Sequence, residues 1–285
     1  MSKIVLQQER DFGSKINATF VFIKQEFKPL LTCLAYMVLP LALLAGVAYG
    51  LFNANLYKSI AENSLVNQST LPFEQLMAMF SGFGLLYIFV SVLSGLLLFS
   101  TVLSYMKLYK QGRENITPAD VWSVTKGHIG MLFILAVVNY ILIIAGTCLL
   151  LLPGIYVSIV LSMSFCIMVF EDADISHSIR ESFSITKGKW WSTFGLIMIL
   201  GLISGIISVF FSLPNTIYTT SLINDPGQID AFTTSVLGVL YLLGIYLVYV
   251  ILIVGIAFQY FNLNERKYAT GLIDDIESIG QNAEE

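Results

Sequence analysis

From Ile129 to Phe170 the chain runs for 42 residues without one Asp, Glu, Lys, Arg or His. About 20 mainly apolar residues are enough to cross the hydrocarbon layer of a bilayer, so this run is long enough to cross twice. Its only punctuation is Pro153-Gly154, and a Pro-Gly pair marks a turn. The expectation is a hairpin of two membrane helices, 129–152 and 155–170, turning within LLLLPGIY at the far membrane face.

Four further runs have the same character: 30–52, with Pro40 inside as a kink, then 81–106, 191–213 and 233–260. None of the six contains Asp, Glu, Lys, Arg or His. The whole chain is 56% hydrophobic and 12% charged, against about 25% charge in a soluble domain. The reading is an all-α polytopic membrane protein, one membrane domain over 1–285 with six spans and a tail at 261–285. A net charge of −4 and the lack of any Lys/Arg run argue against nucleic acid as a partner. The first 29 residues are polar and carry Lys3, Arg10, Lys15, Lys24 and Lys28, so they lack the apolar centre of a secretory signal peptide. Cys33, Cys148 and Cys166 sit in apolar runs without paired spacing, which makes them small hydrophobes in helices.

With six spans, fourteen of the fifteen lysines and arginines fall on one side, Lys58 being the exception. Cytoplasmic loops carry such an excess. Both termini are therefore expected in the cytoplasm.

A second pattern is a repeat. SVTKGH at 123–128 is matched by SITKGK at 184–189, and ATFVFIKQEFK at 18–28 is a weaker echo. In the aligned segments Phe20, Trp122 and Phe183 take the third place, Lys24, Lys126 and Lys187 the seventh, and Phe27, Ile129 and Trp190 the tenth. Ile175, Ile179, Phe183 and Trp190 share a helix face, as do Ile16, Phe20, Ile23 and Phe27. Thr117-Pro118 reads as a helix start, Thr as cap and Pro at the first helical position. Aromatic residues and lysines suit the membrane interface. The expected unit is a cytoplasmic interfacial helix followed by two spans, used three times. Phe20, Lys24, Phe27, Trp122, Lys126, Phe183, Lys187, Lys189, Trp190 and Trp191 are then the residues that meet the interface, a phospholipid or a partner. A further stripe, Leu272, Ile273, Ile276 and Ile279, opposes Asp274, Asp275 and Glu277 in the tail and suits docking on protein.

Polar chemistry is scarce. Asn139 is the most central polar side chain of the spans, and interhelical glue is its simplest use. Glu171, Asp172 and Asp174 cluster after the fourth span, where Arg180, Lys187 or Lys189 would pair with them, or where they would cap the next helix. Only His128 and His177 exist, too few for a four-histidine iron centre. No catalytic, cofactor-binding or metal site is expected, and the chain reads as a non-enzyme. Ala42, Gly46 and Gly50, and the pair Gly201 and Gly205, have the small-residue spacing that lets helices approach closely, with internal packing the expected use.

Pro153, Gly154, Tyr156, Glu171, Ser182, Lys187, Gly188 and Trp190 occupy the places of a pattern seen in a bacterial inner-membrane superfamily: a Pro-Gly turn, a span ending in Glu, then a Ser-rich segment ending in Lys-Gly and Trp. The chain resembles that superfamily, which includes the membrane domain of glycerophosphoryl diester phosphodiesterases. Its ends, FVFIKQEFKPLL and FNLNERKYATGLIDDIESIG, resemble six-span proteins of Bacteroidota. The resemblance implies a bacterial inner membrane, about six spans and proximity to lipid or envelope metabolism. The phosphodiesterase catalytic domain has no counterpart in these residues, so its activity is not implied. The functional expectation is a non-catalytic membrane protein that organises or regulates a membrane-protein partner, a second copy of itself or its lipid environment. The alternative is a transporter or flippase-like carrier of a lipid or apolar solute, with an intramembrane enzyme the least favoured class.

Overall fold

The computed structural model describes residues 3–64, 77–224 and 229–269. Among these residues it forms ten helices and no strand: α1 Phe12–Gln25, α2 Phe27–Met37, α3 Leu39–Ser64, α4 Gly82–Lys110, α5 Pro118–Leu149, α6 Leu151–Leu161, α7 Ser164–Phe170, α8 Ile175–Thr186, α9 Trp190–Asn224 and α10 Ala231–Tyr268. Six helical stretches are long and apolar enough to cross a membrane: Leu39–Ile60, Gly82–Lys110, Pro118–Leu149, Leu151–Phe170, Trp190–Ser221 and Ala231–Tyr268. The all-α, six-span class is as the apolar runs require.

Three boundaries fall elsewhere than the sequence suggests. The first span starts at Leu39, because 30–37 completes α2 and the helix breaks at Val38. Pro40 therefore lies in the first turn of α3, where its missing N–H costs nothing, and does not kink a span from within. The hairpin turns at Leu150, whose φ of −165° and ψ of 153° leave the helical region. Pro153-Gly154 is thus not the turn. Pro153 occupies the first turn of α6, and Gly154 is where α6 meets α5: a Cβ there would lie 2.9 Å from the Thr147 Cα. The fourth span is itself two helices, α6 and α7, separated at Ser162-Met163.

The repeat does not give three equal units. Thr117 caps α5 as its sequence predicts, in a reciprocal pair with Asp120 that satisfies two backbone donors. From there α5 runs unbroken through 123–128 into the span, so this segment forms no interfacial helix of its own. The matching segment does: α8 ends at Thr186, and Gly188, at φ +73°, takes a left-handed conformation that separates it from α9. The N-terminal copy, 18–28, straddles the break at Glu26 between α1 and α2; α1 is capped by Asp11, which accepts from the Ser14 N–H at 2.7 Å. The tail stripe from Leu272 to Ile279 lies outside the described residues.

The chain packs as two compact units, and α2, α4, α9 and α10 contribute residues to both. One comprises the described residues within 34–98 and 203–250. Its packing rests on small residues: a Cβ on Gly50 would stand 2.3 Å from the Ser235 Cα, and one on Gly46 2.5 Å from the Val239 Cα. Tyr49 fills the space beside this crossing, with Tyr87 and Tyr241 each 5.2 Å away ring to ring, over a core of Ala45, Val90 and Leu242. Ala42, Gly46 and Gly50 therefore serve internal packing. Gly201 and Gly205 do not, since a Cβ at either meets nothing within 4 Å.

The other unit comprises, among the described residues, 3–33, 99–202 and 251–269. Phe22 of α1 is fully buried and meets Tyr105, Tyr109 and Phe258 edge-on. Here α8 turns Ser178, Ser182, Ile185 and Thr186 inward and leaves Phe183 outward. Small hydroxyl side chains allow close approach to the bundle, and each Ser returns its O–H to its own helix: Ser178 donates to the Asp174 carbonyl and Ser182 to that of Ile179.

Candidate functional site

The second unit concentrates its polar chemistry where α4, α7 and α10 end and α8 begins. Four residues, Glu171 to Asp174, join α7 to α8, and their three carboxylates have three different tasks. Asp174 caps α8 by accepting from the His177 N–H at 2.6 Å. Asp172, left-handed at φ 53°, accepts at Oδ1 from the Lys107 ammonium at 2.6 Å and lies 2.8 Å from Nε2 of His128. Lys107 also donates to the Val169 carbonyl at 2.7 Å, which pins the end of α7 to α4. The Lys107 hydrogen bond, helped by His128, holds the Asp172 carboxyl below the usual aspartate range.

Glu171 turns the other way, into a cavity of about 520 Å³. Its Oε1 accepts from the Tyr260 hydroxyl at 2.7 Å and from Nδ2 of Asn264 at 3.4 Å, while Oε2 lies 3.5 Å from Nε2 of His177. A second carboxylate on the wall, Glu181 of α8, accepts at Oε1 from Lys267 at 2.9 Å and from the Tyr268 hydroxyl at 2.8 Å. Phe170 and Tyr260, stacked at 5.2 Å, form an aromatic wall, and Lys110 and Gln7 also line the space. The cavity thus carries both signs of charge and aromatic faces. Its carboxylates are held by tyrosine, asparagine and lysine, and among the described residues no three metal-ligating side chains converge. This is the chemistry of recognition by hydrogen bonds and charge.

A second polar feature lies in the same unit. Lys15 of α1 is only 2% exposed, yet its ammonium faces neutral oxygens: it donates to Oε1 of Gln259 at 2.7 Å and to the Ser192 hydroxyl at 3.2 Å. Gln259 in turn donates to the Thr193 hydroxyl at 2.8 Å. Burial, with the Lys189 charge nearby, pulls the Lys15 amine below the ordinary lysine range, and Asp11 opposes this more weakly. The network ties α1 to the start of α9 and to α10.

Of the candidate site residues taken from the sequence, Glu171 lines the cavity, beside His177. Asn139 is buried and donates to the Ser164 hydroxyl at 2.9 Å, beside the break between α6 and α7. Its position is that of glue between helices. The interface candidates face outward: Phe20, Phe27, Trp122, Phe183 and Trp191 are exposed, Trp191 by 76%. Lys24, Lys126 and Lys187 are exposed too, and Lys189 is half-buried. Trp190 packs more closely, stacked on Tyr156 and Phe194 and donating its Nε1–H to the Tyr156 carbonyl at 3.2 Å. Of the two uses expected of the acidic cluster, capping of the next helix falls to Asp174. The pairing is corrected: Lys107 and His128 hold Asp172 and His177 meets Glu171, in place of Arg180, Lys187 or Lys189.

Sequence reading missed Lys15, Glu181, Tyr260 and Tyr268. Lys15 had a visible signal, since it shares a helix face with Ala18, Thr19 and Phe22, all buried. The others gave none, because α8 and the end of α10 are polar at many positions and only their packing selects which ones meet.

Comparison with protein-family models, with curated proteins and with solved structures finds no match to this chain.

Proposed function

We propose that this chain is a non-catalytic multi-pass protein of the bacterial inner membrane, with both termini cytoplasmic, that organises or regulates a lipid or membrane-protein partner. The observation that carries the reading is the polar cavity lined by Glu171, Glu181 and Tyr260. It is built at the helix ends that bear the basic residues, the side such residues mark as cytoplasmic. The outward aromatic and lysine side chains of α1, α5 and α8 support an interfacial setting for it.

The test is purification of the full chain in mild detergent, with lipid mass spectrometry and partner identification on the same sample. One lipid class or protein should be enriched over the bulk membrane, and Glu171→Ala should reduce it. Enrichment of neither refutes the proposal. Orientation has its own check with a membrane-impermeant maleimide on intact spheroplasts. With Cys148→Ser as background, Ser221→Cys should react and Lys24→Cys should react only after lysis. The reverse would invert the topology.

A further inference from the structure

Lys15 carries a charge that the fold has taken out of water without placing a counter-ion against it. It is 2% exposed, and the two acceptors of its ammonium, Gln259 and Ser192, are neutral. Among the described residues no carboxylate lies within ion-pair distance of it. Buried charges are ordinarily paired. A second cation stands nearby. Lys189, half-buried at the start of α9, likewise makes no ion pair among the described residues, and its charge acts against that of Lys15. Asp11 is the opposing carboxylate, but it caps α1 through the Ser14 N–H and acts on Lys15 more weakly than Lys189 does. The start of α9 therefore holds more positive charge than these residues neutralise.

We propose that this place binds a phosphate group, the phosphodiester of an anionic phospholipid, held by Lys189 and Ser192 with Lys15 behind them. It shares no lining residue with the cavity at Glu171, so it goes beyond the proposed function without resting on it. Ser192 links the buried cation to the surface. It is half-buried, its Oγ accepts from Lys15 at 3.2 Å, and the hydroxyl keeps its own proton to donate. A phosphate oxygen accepts strongly from an ammonium and takes a hydroxyl donor as well. The first turn of α9, a helix of 35 residues, adds a dipole that favours a negative group. The surroundings point to a lipid as the source of the phosphate. Trp191, Met198 and Leu202 share one face of α9 and all are exposed. Phe12, exposed too, lies against Gly195 between them, where a Cβ would stand 3.5 Å from its ring. Apolar surface thus leads away from the start of α9, with Trp191 suited to headgroup depth and the residues beyond it to acyl chains. A free phosphate has no use for that surface.

The experiment takes the full chain, stripped of lipid in a nonionic detergent, and follows its melting while dioctanoyl phosphatidylglycerol is added. Dioctanoyl phosphatidylcholine, equally apolar but without net charge, and inorganic phosphate, charged but without chains, are added in parallel. Saturable stabilisation by phosphatidylglycerol alone identifies the lipid. The same response to inorganic phosphate identifies a free phosphate as sufficient. Lys189→Gln should weaken the apparent affinity about fivefold to tenfold, the loss of one charge-assisted hydrogen bond, and Lys189→Arg should restore most of it. Lys58→Gln, the basic residue assigned to the other side of the membrane, should leave it within about twofold. If Lys189→Gln fails to fold, Ser192→Ala reads the same site and should weaken binding about threefold. Equal stabilisation by phosphatidylcholine and phosphatidylglycerol overturns the inference. So does the lack of saturable stabilisation by either charged ligand, or wild-type affinity in Lys189→Gln. If it falls while Glu171→Ala still reduces a co-purified lipid or protein, the proposed function stands.

Discussion

Replacing Lys15 by methionine tests how the chain tolerates a buried ammonium. The side chain is 2% exposed and bonded to Gln259 and Ser192, both neutral. Removing an ion from water costs several kcal/mol even after relaxation, and hydrogen bonds to a charged group return about 1.5–3 kcal/mol each. The two bonds therefore leave the charged form only roughly balanced. Lys15→Met abolishes the desolvation cost but orphans Oε1 of Gln259, a loss of about 1–3 kcal/mol. Near neutral pH the variant should lie within about 2 kcal/mol of the wild type.

The decisive signature is the pH dependence. The folded-state pKa of Lys15 is depressed below the ordinary value of 10.5, so between the two values the unfolded chain holds a proton that the folded chain lacks. Stability then rises with pH across that window. A neutral amine still donates to Gln259, whereas methionine never does, so the variant should fall further behind the wild type as pH rises from about 7 to 10. Gln259→Leu added to Lys15→Met should recover about 1–3 kcal/mol, since no orphan acceptor then remains. Lys189→Gln, by removing the neighbouring charge, should make the wild-type rise shallower. Melting in a fixed detergent at each pH reads all four proteins. A stability gap that is flat or shrinks as pH rises would show that an anion compensates Lys15, and the reasoning would fail.

Gly50→Ala should destabilise by about 1–3 kcal/mol or prevent folding, because its Cβ would lie 2.3 Å from the Ser235 Cα. Gly205→Ala, with nothing within 4 Å, should change melting by no more than about 0.5 kcal/mol apart from a gain in helix propensity; equal effects at the two sites would refute the packing assignment. Asp172→Asn should cost about 1 kcal/mol or less, since the amide oxygen still accepts while Lys107 and His128 lose the negative charge of a carboxylate that is 66% exposed. The Asp172 carboxyl is depressed below 3.8, so its contribution is present above that value and is lost as pH falls through the folded-state pKa. The gap between wild type and Asp172→Asn, read by melting from about pH 6 to pH 3, should therefore close in acid.

The sequence by itself determined the class of this protein and its number of spans, because hydropathy weighs each residue against the bilayer and needs no neighbour. It also placed the start of α5 at Thr117-Pro118 and the close packing at Gly46 and Gly50, both local in origin. It picked out Glu171 for its charge next to an uncharged run. Only the tertiary structure decided the rest. The hairpin turns at Leu150 because Gly154 is spent on contact with Thr147, and two nearly identical hexapeptides end as a continuous helix and as a broken one. Lys15 is buried and Gly205 is bare for the same reason. Which face of a helix meets a neighbour depends on residues far away in the chain, such as Gln259 for Lys15 and Tyr260 for Glu171. No periodicity within the helix records them.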